Sequence, residues 1–340
     1  MTIPEVTPVA ASTWLVGGYG PDMDGGAEGV SVMRSRDDGS LELSHLAAAV
    51  PSPSFVAVEG DKVYSTLEGS GQIAVFDRDG DSLSEPTLVS SGGQYPCHVT
   101  VMGTTVIAAN YGTGTLGVIE VDATSSDVTM RQMVETTGLG PRPQQEGPHA
   151  HSSIFVDEHT LLSLDLGADR IRIFGYADHA LEQVDEVVLP AGFGPRDIVA
   201  REDNLFYVLG ELGCGVLVFE WKNRQLHQLC SISLPGATEG DQAAAIAISD
   251  DSRHAYVGVR HSNLIAVLAI ADDGRSVAPL TAVSCGGNWP RHIILDSGIL
   301  HVCNQLSNEI ASFRIDENGI PQLIAAPTRI PSPTYLARIA

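Results

Sequence analysis

Residues 147–170 read GPHAHSSIFVDEHTLLSLDLGADR and contain the pattern that organises the whole chain. This order predicts a turn, a strand opened by polar residues, a tight return at 157–159 and a second strand. In an antiparallel hairpin, the first strand begins at the edge where the second strand ends. We therefore expect His149 and His151, which alternate by two and so share one strand face, to lie at the same edge as Asp165.

The same pattern returns about every 48 residues, a period typical of repeat architectures. A proline opens a short apolar segment at six places: Pro53, Pro96, Pro148, Pro195, Pro290 and Pro333. The interval between Pro195 and Pro290 spans two periods, and the apolar segment 242–248 lies in its middle without a proline. A second apolar segment follows in six units and ends in a polar residue: Glu68, Asn110, Asp165, Glu211, Arg260 and Asn304.

Repeats of 40 to 50 residues with four short strands each are typical of a β-propeller. The last unit is split, because the segment after Pro333 has no second strand, whereas residues 13–19 (TWLVGGY) form a second-strand pattern with no first strand. The sequence thus predicts an all-β fold. We expect one domain over 1–340, a seven-bladed β-propeller whose N- and C-terminal strands share one blade and close the ring.

Composition limits the possible partners and location. The formal net charge of −23 argues against a nucleic-acid partner but permits a small anionic ligand, which needs only a few arginines. The sequence lacks an apolar segment long enough to span a bilayer and a signal-peptide pattern at its start, so we expect no membrane partner. Five scattered cysteines without a CxxC pair indicate reduced thiols and a cytoplasmic location. Nothing in the sequence predicts the oligomeric state.

The innermost strands of a propeller line a central channel, so polar residues at their starts form a ring at one rim. The residues at the first-strand starts are His98, His149, His151, Arg196, Asp197, Arg291 and His292. Burying charged groups is unfavourable unless they form ion pairs or bind a ligand. The pattern favours a functional funnel over a ring of groups that only complete turns.

Several of these residues have two interpretations. The pair His149 and His151 could bond to carbonyls or bind zinc, but no third ligand is evident, and we assign no metal and no cofactor. Arg196 follows a Gly-Pro turn and could bind a carboxylate or phosphate, or form a salt bridge with Glu211. Glu211 is then either that partner or a general base. Asn110 and Asn304 could cap turns or contact a substrate, and Asp169 and Arg170 fit an inter-blade or turn interaction.

Six segments resemble the lactonase family of seven-bladed propellers, which contains propeller-type 6-phosphogluconolactonases and carboxy-cis,cis-muconate cyclases. They are NYGTG (110–114), PHAH (148–151), DLGAD (165–169), GPR (194–196), EL (211–212) and WPRH (289–292). The resemblance implies an active site made of His149 with His151, Arg196, Glu211 and Arg260. The chain differs from the family pattern at Asp197, where His is usual, at Ala245, where an acidic residue is usual, and at Gly258.

We therefore expect hydrolysis of a small, anionic sugar lactone. The expected catalytic residues are His149, Glu211, Arg196 and Arg260, and the expected substrate-binding residues are His151, Arg291, His98, Asn110 and Asn304. The arginines would hold the acid group and stabilise charge on the ring carbonyl, while Glu211 and His149 would exchange protons with water and the leaving oxygen. The alternatives are a cyclase that forms or opens a lactone, a calcium-dependent sugar lactonase, and a non-enzymatic propeller that binds a ligand or protein at its rim.

Overall fold

The computed structural model describes residues 12–122 and 127–339, which form seven antiparallel sheets. The innermost strand of each sheet lies beside the innermost strand of the next, around the whole circle. The predicted all-β, seven-bladed propeller is therefore confirmed. The predicted domain also includes residues 1–11, 123–126 and 340, which lie outside the described residues. No helix in the described part of the chain is long and apolar enough to cross a membrane.

The strands are numbered in chain order, and within each blade they follow one another from the channel outward. The closing blade contains β30 (Pro333–Arg338), β1 (Thr13–Gly18), β2 (Val30–Ser35) and β3 (Leu41–Ala48). The second blade contains β4 (Pro53–Glu59), β5 (Lys62–Leu67) and β6 (Gln72–Asp79), with short outer strands β7 (Ser82–Leu83) and β8 (Thr87–Ser90). The third contains β9 (Pro96–Met102), β10 (Thr105–Asn110), β11 (Leu116–Val121) and β12 (Val128–Val134).

The remaining four blades have the same plan. The fourth contains β13 (Ala150–Asp157), β14 (Thr160–Asp165), β15 (Arg170–Ala177) and β16 (Ala180–Val188). The fifth contains β17 (Pro195–Arg201), β18 (Leu205–Gly210), β19 (Gly215–Lys222) and β20 (Gln225–Ser233). The sixth contains β21 (Gln242–Ile248), β22 (His254–Arg260), β23 (Leu264–Ile270) and β24 (Val277–Ser284). The seventh contains β25 (Pro290–Asp296), β26 (Ile299–Asn304), β27 (Glu309–Ile315), β28 (Pro321–Leu323) and β29 (Thr328–Arg329). Two 3₁₀ helices occupy loops, Pro21–Met23 and Glu68–Ser70.

The termini close the ring through backbone pairing. Strand β1 pairs antiparallel with β30, with Trp14 opposite Arg338 and Val16 opposite Leu336. This confirms the prediction that the two ends of the chain share one blade. The pairing leaves no free strand edge between the first and last parts of the chain that the structure describes.

The proline repeat matches the inner strands with one exception. Five of the six prolines are the first residue of an inner strand, but Pro148 lies two residues before β13, which begins at Ala150. Ala150 pairs with Asp165, as Pro96 pairs with Asn110 in the third blade. The expectation that Pro148 opens a strand is therefore wrong by two residues. In the fourth blade the inner strand begins two residues after the proline, at Ala150.

Burial explains why the inner and middle strands are apolar along their whole length. Every residue of β14, β18 and β26 is buried, because the strands of a propeller blade are covered on both faces by the neighbouring blades. Seven hydrophobic clusters fill the seven interfaces between consecutive blades. The outermost strand β16, in contrast, is mostly exposed and contains four charged or amide residues among its nine. Apolar burial between blades therefore holds the ring together.

We predict that Leu336→Ala in the closing strand destabilises the protein by about 2–5 kcal/mol, the usual range for a truncated core leucine. Leu336 is fully buried with Trp14 and Cys303 between the closing and seventh blades. Urea unfolding measures the change. The matched control is Leu323→Ala on β28, where the side chain is 49 % exposed and the expected change is within about 0.5 kcal/mol. Equal effects of the two substitutions would show that closing-blade packing does not limit stability.

Candidate active site

The central channel contains a pocket of about 440 Å³, including its open mouth. Each of the seven inner strands contributes two consecutive residues: Ser54 and Phe55, Cys97 and His98, His151 and Ser152, Arg196 and Asp197, Ala244 and Ala245, Arg291 and His292, Thr334 and Tyr335. The sevenfold repeat therefore places polar side chains that are far apart in sequence around one cavity.

A β-bulge at the same place in each inner strand aims these side chains inward. In the fifth blade Pro195 pairs with Gly210 and Asp197 pairs with Leu209, so Arg196 is the extra residue. The register shifts at the corresponding place in the other six inner strands. Because a bulge re-aims the side chain of the extra residue, it turns one residue per blade towards the pocket. These residues are Ser54, Cys97, His151, Arg196, Ala244, Arg291 and Thr334.

A hydrogen bond from the preceding blade fixes the entry into several of these bulges. Asp169 accepts the Gly194 N–H at 2.7 Å, Asn263 accepts the Trp289 N–H at 2.7 Å, and each donor immediately precedes a strand-opening proline. Gly194 and Trp289 have φ values of 60° and 68°. The left-handed backbone is unfavourable for tryptophan and persists here because the surrounding contacts hold it. The inter-blade interaction expected for Asp169 is thus present, and it positions the turn that leads to Arg196.

Arg196, Glu211 and Arg260 form a buried ion cluster. The same oxygen, Glu211 Oε2, lies 2.5 Å from Arg196 Nη1 and 2.9 Å from Arg260 Nη2. Burial alone would raise the pKa of Glu211, but the Arg260 and Arg196 guanidiniums outweigh it and lower that pKa. Burial lowers the pKa of Arg260 to about 10, so this guanidinium stays charged at neutral pH. The salt bridge between Arg196 and Glu211, one of the two sequence-based interpretations, is therefore formed.

The environment of Arg291 differs from that of Arg196 and Arg260. Its Nη2 donates to the Tyr19 hydroxyl at 2.5 Å, and its guanidinium lies 4.6 Å from the centre of the Tyr19 ring. The Tyr19 hydroxyl in turn donates to Glu68 Oε1 at 2.9 Å. Within the described residues, Arg291 has no carboxylate in salt-bridge range. Tyr19 was not among the predicted site residues, although it follows β1 at the position that Glu68 and Glu211 occupy after their second strands.

The structure separates His149 from His151. His151 is the bulge residue of β13 and lines the pocket, whereas His149 precedes the strand and lies outside the pocket lining. The Nδ1 of His149 donates to the Tyr111 carbonyl at 2.6 Å, its ring stacks on Tyr111, and its Nε2 lies 3.6 Å from Glu146 Oε2. The expected alternation by two does not bring both imidazoles to the pocket, because His149 is outside the strand and His151 is in its bulge.

The pocket histidines are neutral at neutral pH. Burial lowers the pKa values of His98 and His292 to about 3. Burial, followed by the Arg196 and Arg291 charges, also lowers the pKa of His151 well below its usual range. His292 Nδ1 accepts the Leu336 N–H at 3.3 Å, so its Nε2 carries the proton. These imidazoles therefore serve as hydrogen-bonding groups without adding charge.

Asn110 and Asn304 lie away from the pocket. Both side chains are fully buried, and they donate to the carbonyls of Ser91 at 2.9 Å and Cys285 at 3.0 Å in the preceding inter-blade loops. The substrate-binding role expected for these two residues does not fit this position, whereas the turn-capping interpretation does. No cluster of three or more His, Cys, Asp or Glu in the described ranges has a geometry that could hold a metal ion.

The fold and this site define the class of protein to which the chain belongs. The chain belongs to the lactonase family of seven-bladed β-propellers, since the family model described as "Lactonase, 7-bladed beta-propeller" matches residues 13–337. It is similar to a 6-phosphogluconolactonase from Bacillus subtilis strain 168, with 30 % identity over 341 aligned positions that cover 94 % of this chain and 97 % of that protein.

Two solved structures show the same fold. A putative 6-phosphogluconolactonase from Bacteroides fragilis has a TM-score of 0.90 at 23 % identity, covering 99 % of this chain and 100 % of that one. A periplasmic gluconolactonase from Pseudomonas aeruginosa has a TM-score of 0.87 at 24 % identity, covering 97 % and 99 % of the two chains. At these identities the likeness concerns the fold alone.

We predict that Glu211→Gln destabilises the protein by about 3–5 kcal/mol, because it leaves two buried guanidiniums without a negative partner. Urea unfolding at neutral pH measures the change. The matched control is Glu220→Gln, which removes a carboxylate bonded to the surface residue Arg275 at 2.7 and 3.1 Å and should have a far smaller effect. A Glu211→Gln variant as stable as wild type would show that the two guanidiniums do not depend on this carboxylate.

Proposed function

We propose that this protein is a lactonase that hydrolyses a small, anionic sugar lactone such as 6-phosphogluconolactone. The observation that carries the proposal is the pair of arginines, Arg196 and Arg291, that equivalent bulges aim into one pocket. Membership in the lactonase family and the similarity to a 6-phosphogluconolactonase support it. No specific contact among the described pocket residues favours a cyclase or a non-enzymatic binding protein.

The two pocket arginines differ in the donors that remain free. A guanidinium has five N–H donors. Arg291 uses one of them on Tyr19, whereas Arg196 uses one on the Ala244 carbonyl at 2.6 Å and another on Glu211. We assign the anionic group of the substrate to Arg291, which can bind it with two parallel N–H groups. Arg196 then faces the ring carbonyl.

Charge develops on the carbonyl oxygen when water attacks the lactone, and a fixed guanidinium stabilises it. Arg196 is held in place from two sides, by Glu211 and by the Ala244 carbonyl, so little reorganisation is needed. Arg260 shares Glu211 with Arg196 and does not itself line the pocket. In this arrangement Arg260 and Glu211 position Arg196. His151 and His98 line the pocket, where their imidazoles can form hydrogen bonds with the sugar ring.

The sequence-based assignment makes Glu211 and His149 the proton-transfer pair. Two guanidiniums bind Glu211 and lower its pKa, so its carboxylate is a weak base. The Nδ1 of His149 donates to the Tyr111 carbonyl, and its Nε2 faces Glu146 outside the pocket lining. Glu211 therefore fits a positioning role better than the role of proton acceptor.

A cytoplasmic location is part of the proposal. All five cysteines are free thiols, as is usual in a reducing compartment. The periplasmic gluconolactonase of Pseudomonas aeruginosa shows that the same fold also occurs in the periplasm. Cell fractionation with an antibody to this protein distinguishes the two locations.

We predict that Arg291→Ala lowers kcat/KM for 6-phosphogluconolactone by about 10- to 100-fold, the range for losing a hydrogen-bonded charge pair. The effect on unphosphorylated gluconolactone should be much smaller, because that lactone has no phosphate for Arg291 to bind. A continuous assay of acid release, corrected for spontaneous opening, measures both substrates. Arg275→Ala, at an exposed arginine outside the pocket lining, is the matched control and should behave like wild type.

The wild-type rate tests the function itself. Turnover of the lactone above the spontaneous rate, with the ring-opened acid as product, is the expected result. Formation of a lactone from the open acid would instead support the cyclase alternative. Absence of turnover with both phosphorylated and unphosphorylated sugar lactones would contradict the proposed function.

A further inference from the structure

Among the described residues that line the central pocket, Asp197 is the only one with a carboxylate. We propose that Asp197 is the general base that removes a proton from the water attacking the lactone carbonyl. The inference rests on the proposed function and adds a catalytic residue to it. Neither the sequence pattern nor the family resemblance assigns a role to this position.

Two backbone hydrogen bonds hold the Asp197 side chain in place. Its Oδ1 accepts the Ile198 N–H at 3.0 Å on its own strand, and its Oδ2 accepts the Ile246 N–H at 3.0 Å on the next blade. Each carboxylate oxygen has two lone pairs, so each retains one acceptor site. Within the described residues Asp197 forms no salt bridge, in contrast to Glu211. A fixed carboxylate with free acceptor sites, next to the arginine that faces the carbonyl, suits a proton acceptor.

The surroundings of Asp197 and Glu211 move the pKa values of these two carboxyl groups in opposite directions. Burial raises the pKa of Asp197, and the two backbone bonds and Arg196 only partly offset this. The other ionisable groups around the pocket are His151 on β13, Arg291 and His292 on β25, Tyr335 on β30, and Cys97 and His98 on β9. Strand β21 contributes only Ala244 and Ala245 to the lining. Asp197 therefore has a raised pKa, whereas Glu211, which lies behind Arg196, has a lowered one.

The inter-blade hydrogen bond does not by itself require a carboxylate. His292 occupies the equivalent position in the seventh blade and accepts the Leu336 N–H of the next blade with an imidazole nitrogen. The register shows that Asp197 and His292 are both the residue after the bulge. An uncharged acceptor therefore performs the structural role at one blade, and the charge of Asp197 remains available for chemistry.

The proposed step is balanced in protons and bonds. The water oxygen forms a bond to the ring carbonyl carbon while one water proton passes to Asp197, giving an oxyanion that faces Arg196. Collapse of the intermediate breaks the bond between the carbonyl carbon and the ring oxygen. The proton held by Asp197 passes to that oxygen, so the product is the ring-opened hydroxy acid and the carboxylate is restored.

Asp197→Asn tests the inference, because it keeps the shape and an acceptor oxygen but removes the base. We expect kcat for 6-phosphogluconolactone to fall by about 100-fold or more, with KM changed by less than about threefold. Wild-type kcat/KM should fall on acidification as Asp197 gains a proton, at a pH above the usual aspartate range. This acid limb should be absent from the residual activity of Asp197→Asn.

Asp241→Asn is the matched control. Asp241 also bonds backbone N–H groups, those of Thr238 and Ser262, but it lies outside the pocket lining. Its substitution should leave kcat and the acid limb unchanged. Should Asp197→Asn fail to fold, Asp197→His provides the acceptor that His292 provides in the seventh blade, and its acid limb should shift relative to wild type.

Two results would overturn the inference while leaving the proposed function intact. One is an Asp197→Asn enzyme with kcat within about threefold of wild type, since loss of a general base has a larger effect. The other is a slow variant whose residual activity keeps the wild-type acid limb, because another group would then be titrating. Lack of wild-type turnover above the spontaneous rate would refute the proposed function itself.

Discussion

The backbone ladder between β1 and β30 is the constraint on which the rest of the structure depends. It joins residues more than three hundred positions apart and converts a row of hairpins into a ring. Only a closed ring has a channel, and only the channel brings the seven inner strands to a common pocket. Apolar burial at each blade interface stabilises the ring, but the terminal pairing decides that it closes.

Within that ring, one local irregularity supplies the chemistry. The repeated β-bulge turns one extra residue per blade towards the pocket, beside the next residue of the strand, which stays in the ladder and also lines the pocket. The scaffold therefore tolerates serine, cysteine, histidine, arginine, alanine or threonine at this place without change to the backbone pairing. Burial keeps the imidazoles neutral, while Arg196 and Arg291 remain charged and place positive charge where an anionic substrate would lie.

How far the site could be predicted depended on the kind of interaction. Arg196, Arg291, His98 and His151 were recognisable as rim residues, because they follow the repeated turn, and the structure places them in the pocket. His149, Asn110 and Asn304 matched the same pattern but have other partners. The two-residue offset at Ala150 moved His149 out of the lining, and backbone carbonyls engage both asparagines. Tyr19 was missed although residues 13–19 were recognised as a second strand, because the other second strands end in Glu, Asn, Asp or Arg and a tyrosine does not match that pattern.

The sequence by itself determined the number of blades, the shared terminal blade and most of the His, Arg and Asp residues at the inner-strand starts. These features depend on the period and on apolar patterning, which are local and repeated, so they can be read without coordinates. Only the tertiary structure decided which of those residues face the channel and how they are paired. The second arginine on Glu211, Arg260, and the hydrogen bond from Ile246 to Asp197 both come from the neighbouring blade. They depend on bulge register and on distances across the ring, which no single repeat encodes.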